Sequence, residues 1–141
     1  MMQPPFPRPT PKMRFIAPML LLAASALTAT ALAQSSAIRR TVIQKADVSV
    51  PGREAVVARV ELDKGATAGR HSHPGDEIGY VMEGEADLVV DGEDPRRIKA
   101  GESYIIPAGT VHDAVNAGAG TLKLVGVFVV EKGKPLATAA R

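Results

Sequence analysis

Apolar residues recur along the chain in short runs, some alternating with polar positions and some unbroken, and no window keeps helical spacing for ten residues or more. The runs predict strands over 41–44, 55–62, 78–83, 85–90, 96–99, 103–106, 111–116 and 121–130, rich in Val and Ile. Turn chemistry separates them at Glu83-Gly84, Asp91-Gly92, Ala100-Gly101 and Ala117-Gly118. The stretch 121–130 contains LKLVGVFVV with almost no polar break, so this strand is expected to be buried on both faces. Eight strands with turn signals every eight to twelve residues imply an all-β sandwich or barrel instead of an open sheet. The segments 34–37 and 135–141 read as loose tails.

Composition changes this picture at one end of the chain. Residues 15–33 read FIAPMLLLAASALTATALA, a charge-free apolar run preceded by Lys12 and Arg14 and closed by Ala31-Leu32-Ala33. That is the three-part pattern of a secretory signal peptide over 1–33, with cleavage expected after Ala33 and Met13 as an alternative start. No twin arginine precedes the run, so the expected export route is that of an unfolded chain. The expected destination is periplasmic or secreted, with no membrane association after cleavage. The mature domain is then 34–141, with a core at about 41–130, and it holds all 13 glycines. The leader carries Arg8, Lys12 and Arg14 and no acid, which leaves 14 basic and 15 acidic residues and a net charge of −1. A domain of that balance is not a charge-driven binder of nucleic acid. The absence of cysteine excludes disulfide frameworks, zinc ribbons and thiol nucleophiles.

Chemistry concentrates at the three histidines, His71, His73 and His112. His71 and His73 lie two apart at the end of a strand-like segment, so their imidazoles share a face. Pro74-Gly75 then breaks the ladder, and Glu77 opens the next strand, where its carboxylate can turn back toward the same point. His112 follows the tight turn Pro107-Ala108-Gly109-Thr110, which can fold a later strand alongside the first. Three imidazoles and a carboxylate suit a divalent transition ion, one of Mn, Fe, Co, Ni, Cu or Zn, and leave coordination positions for water or substrate.

In the segment 65–84, GATAGRHSHPGDEIGYVMEG, five residues follow Gly65, then His71, one, His73, three, Glu77, six and Gly84. In 101–116, GESYIIPAGTVHDAVN, five residues follow Gly101, then Pro107, one, Gly109, two, His112, three and Asn116. At all ten defined positions these segments resemble the two motifs of the cupin superfamily, and the chain is identified as a small single-domain cupin. The resemblance implies a double-stranded β-helix, or jelly-roll, barrel that binds a metal through His71, His73, Glu77 and His112. It also implies that Gly65, Gly84, Gly101, Pro107, Gly109 and Asn116 shape turns and strand ends.

Other residues have plainer readings. Arg70 and Asp113 flank ligands and should point to the opposite face. Tyr80 and Tyr104 are expected to be structural, each satisfying its own hydroxyl. Strand parity nominates Val56, Ala58, Val60, Met82, Ile106, Val115, Val127 and Phe128 for an aliphatic cavity, and no arginine is forced to face it. Tyr80, Tyr104 and Phe128 are the only aromatics after the leader, too few for stacking on sugars or on single-stranded nucleic acid.

Two functions fit. One is an exported metal-dependent enzyme of dioxygenase, decarboxylase or isomerase type acting on a small oxygenated organic molecule. In it Glu77 is the candidate catalytic residue, either staying on the metal or leaving it to take a proton. The other is a non-catalytic metal or small-ligand binding or sensing module. A homodimer that hides an edge strand is expected for so small a barrel.

Overall fold

In a computed structural model, residues 37–141 are described and form ten strands. These are β1 (Ile38–Asp47), β2 (Arg53–Leu62), β3 (His71–Ser72), β4 (Gly75–Glu83), β5 (Glu85–Val90), β6 (Arg96–Lys99), β7 (Ser103–Ile106), β8 (His112–Asn116), β9 (Leu122–Glu131) and β10 (Thr138–Ala139). The signal peptide read over 1–33, its cleavage point and the alternative start lie outside the described residues. No helix among the described residues is long and apolar enough to cross a membrane.

The strands form two antiparallel five-stranded sheets, ordered β1-β2-β9-β4-β7 and β10-β3-β8-β5-β6. This is the all-β jelly roll that the strand pattern and motifs imply. Alternation in sequence becomes alternation in burial: Val56, Ala58, Val60 and Leu62 of β2 face inward, as do Ala86, Leu88 and Val90 of β5. Inward side chains of both sheets meet in one cluster that includes Leu62, Val81 and Leu124 from the first sheet and Leu88 and Ile98 from the second. Asn116 closes the end of β8. Its buried amide donates to the carbonyls of Leu62, Asp63 and Gly120 at 2.8–3.1 Å and accepts from the Gly118 N–H at 2.9 Å.

Three expectations need correction. Strand β9 is buried on one face only, because β2 and β4 flank it and no strand among the described residues lies over its outer side; Val125, Val127 and Val129 remain partly exposed there. Strand β1 runs well beyond 41–44, its polar residues tolerated because it is a sheet edge, with a bulge between Val42 and Gln44. Residues 135–141 are no loose tail, since β10 pairs with β3 through Thr138↔Ser72 and Ala139↔His71.

Candidate metal centre

Both sheets contribute to the site. The second supplies His71 on β3, His73 just beyond it and His112 on β8, with His71 and His112 directly opposed in the ladder. The first supplies Glu77 from β4, opposite Ile106 on one side and Phe128 on the other. The 107–110 turn is docked on the His73 segment: the Gly109 N–H donates to the His73 carbonyl at 2.9 Å, and the Ala108 N–H to Asp76 Oδ1 at 3.0 Å. Gly109 makes that turn at φ 75°, a conformation L side chains rarely adopt. The two motifs are thus joined by backbone contacts as well as by the contact of Glu77 with His112.

Each imidazole uses Nδ1 on a backbone carbonyl: His71 on Gly69 at 2.6 Å, His73 on Leu136 at 2.6 Å and His112 on Thr110 at 3.0 Å. A carbonyl only accepts, so each Nδ1 carries the proton, and Nε2 is the nitrogen left for the centre. Glu77 Oε2 lies 2.9 Å from His112 Nε2 and 3.0 Å from His73 Nε2. His73 Nε2 is buried and off the line a hydrogen bond needs, so it has no hydrogen-bond partner. One ligand atom from each of the four residues lies within 4.8 Å of the others. Inward lone pairs, an anion and an orphaned nitrogen are a donor set that fits a divalent transition ion. His71, His73, Glu77 and His112 would hold such an ion.

The electrostatics agree. Burial alone would raise the Glu77 pKa, but the hydrogen bond from His112 and the nearby His73 outweigh it and hold the carboxyl at about 2. Burial likewise opposes charging of His112, yet Glu77 and the Thr110 carbonyl together raise its pKa. His71 is lowered, chiefly by burial. In the metal-free centre a proton is therefore favoured between His112 and Glu77, where a cation would otherwise sit. Taking a proton, the second role read for Glu77 from sequence, calls for raised basicity, whereas here the imidazoles stabilise its anion.

Tyr104 satisfies its hydroxyl, as expected, and does so on a residue of the cluster. Its hydroxyl donates to Glu77 Oε1 at 2.9 Å, and burial first, then the Glu77 charge, drives its pKa well above the ordinary value. Glycine makes this possible: a Cβ on Gly79 would collide with the Tyr104 ring, and one on Gly126 would come 2.7 Å from the Phe128 ring. The two glycines are paired across β4 and β9, a register signal the sequence does not display. Tyr80, by contrast, is 49% exposed. Arg70 pairs with Asp91, and Asp113 accepts from Thr67, so neither joins the cluster.

The cluster opens on a cavity of about 100 Å³ walled by Ala58, Val60, Leu124 and Phe128. That is far smaller than a drug-sized pocket and suits a molecule of few non-hydrogen atoms. Of the parity candidates, Ala58, Val60 and Phe128 line it. Val56 and Ile106 are buried elsewhere in the core, and Met82, Val115 and Val127 fall on the opposite faces of their strands. Leu136 and Arg40 line it as well, neither of them expected from sequence.

Comparison with known proteins gives concordant results. The family profile described as "Cupin domain" matches residues 58–130. The HTH-type transcriptional regulator PuuR of Escherichia coli (strain K12) is 37% identical over 76 residues, covering 53% of this chain and 40% of that protein. The chain thus spans less than half the length of the curated relatives it matches. Among solved structures, a Klebsiella pneumoniae protein with a double-stranded beta-helix domain aligns with TM-score 0.61 and 26% identity, covering 74% of this chain and 85% of that one. An oxalate oxidase aligns with TM-score 0.56 and 31% identity, over 61% of this chain and 46% of that one.

Proposed function

The chain belongs to the cupin family, and from that premise we propose that it is an exported, metal-dependent enzyme acting on a small oxygenated organic molecule by dioxygenase, decarboxylase or isomerase chemistry. The observation that carries this reading is that His71, His73, Glu77 and His112 each bring one ligand atom to within 4.8 Å of the others at the wall of a small aliphatic cavity. The similarity to an oxalate oxidase supports it. A bound divalent transition ion would polarise a substrate oxygen, or engage O₂ if redox-active.

The chain's own residues prepare the site. His71, His73 and His112 each have Nδ1 held by a backbone carbonyl, which sets the ring orientation before binding. Glu77, held ionised, is suited first to ligation; taking a proton from substrate requires that its imidazole contacts loosen. Tyr104 fixes Oε1 and leaves Oε2 for the centre. Ala58, Val60, Leu124 and Phe128 keep water from surrounding the reacting group.

The second reading, a non-catalytic metal or ligand sensor, is favoured by the match to part of a transcriptional regulator. One experiment separates them. The purified domain, metal-loaded, is assayed for O₂ uptake and for loss of substrate over a panel of small carboxylic and phenolic compounds. Turnover that Glu77→Gln abolishes is the result expected of the enzyme. Ion retention and ligand binding with no turnover by wild type would assign the sensor role. Export is tested by N-terminal sequencing of the mature protein, which should begin at Gln34.

A further inference from the structure

Among the described residues lining the cavity, one is a permanent cation that neither motif supplies, Arg40 of the exposed edge strand. Arg40 lies on the inner side of β1, opposite Val60 of β2, and lines the cavity with it. Its Nη2 donates to the Ala68 carbonyl at 3.0 Å, and Ala68 is also part of the cavity wall. This contact carries the guanidinium from the edge of the first sheet to the segment that leads into β3. A guanidinium has five N–H donors, and no carboxylate among the described residues forms an ion pair with this one. The adjacent arginine shows the contrast: Arg39, on the other face of β1, is held by Glu61 and Asp63 at 3.1 and 3.0 Å. Arg40 therefore presents uncommitted donors beside an aliphatic wall, with the imidazole–carboxylate cluster lining the same space.

We propose that Arg40 is the anion anchor of this cavity, and that the ligand is a small aliphatic carboxylate whose carboxyl group meets the guanidinium while its remaining atoms extend along Val60 and Phe128. Three features select this class. The planar fork matches a carboxylate with two parallel hydrogen bonds. The cavity, about 100 Å³, admits only a short chain. Its aliphatic wall offers the carbon atoms of such a ligand no polar competitor. Placement of the ligand's far end at the cluster rests on the metal-centre reading above; the anchor itself does not.

The test uses acetate, propionate and pyruvate against their amides, titrated calorimetrically into the purified domain both metal-loaded and stripped by chelation, with ion content measured separately. Wild type should bind each acid on the order of tenfold or more tighter than its amide in both forms. Arg40→Gln should erase that preference while leaving ion content, melting temperature and amide affinity unchanged, and Arg40→Lys should keep part of it. Acids and amides bound alike by wild type, no binding of either, or an acid preference that survives Arg40→Gln would each overturn the anchor. An Arg40-dependent preference in a domain that never holds a metal would uphold the anchor and defeat the metal-centre reading. Stoichiometric metal with no such preference would do the reverse.

Discussion

Tautomers decide what the four central side chains can do. With Nδ1 of every histidine donated to a backbone carbonyl, the direction of each Nε2 is fixed by the fold and not by the ligand. Tyr104 does the same for Glu77 by occupying Oε1. Removing only that hydroxyl, in Tyr104→Phe, should lower metal affinity by about 10- to 100-fold with the fold intact, as read by competition with a chelating dye. The metal-free centre carries its own pH signature. Glu77 is depressed from 4.5 to about 2, so its stabilising effect is complete above 4.5 and is lost as pH falls toward 2. His112 is raised from 6.5, so its effect is complete below 6.5 and is lost as pH rises through the raised value. The melting-temperature advantage of stripped wild type over stripped Glu77→Gln should therefore peak between pH 4.5 and 6.5. A difference that is flat with pH would contradict the pairing.

At the scale of elements, the C-terminal segment is the least expected contributor. Residues 135–141 supply β10, the carbonyl that holds His73 Nδ1 and the Leu136 side chain in the cavity wall. Deleting them should weaken metal binding to a degree similar to Tyr104→Phe while leaving most of the thermal stability, because the larger hydrophobic cluster lies elsewhere. This segment shows where the sequence runs short. Strands β2 and β5 were legible because their inward positions are apolar and regularly spaced, and the clustering of His71, His73, Glu77 and His112 was legible because all three histidines fall on motif spacings. A two-residue strand such as β10 has no period to read. Arg40 was invisible for a related reason: β1 mixes polar and apolar residues on both sides, and only its pairing with Val60 reveals which side is inner. Tyr104 needed the facing Gly79, a pairing of residues distant in sequence. The misread of β9 arose because an apolar outer face looks, in sequence, the same as a covered one.

Across the described molecule, that outer face is an apolar surface left exposed. Ile78 pairs with Ile105 on one side and Val127 on the other, and Tyr80 pairs with Val125, so their outward side chains form one continuous apolar surface on which Ile105 is 67% exposed. We propose that a second copy covers it in an isologous contact, an interface different from the edge-strand homodimer expected from sequence. Light scattering should give a dimer at micromolar concentration, converted to monomer by Ile105→Asp with ion content unchanged. A wild-type monomer would end that proposal.

The central claim is that His71, His73, Glu77 and His112 grip one ion, and elemental analysis of the purified domain tests it most directly. About one equivalent of a first-row transition metal per chain is expected, lost in His71→Ala and His112→Ala while their strand signature by circular dichroism persists. A domain that holds no metal after exposure to Mn, Fe, Co, Ni, Cu and Zn, or variants that keep the full equivalent, would contradict it.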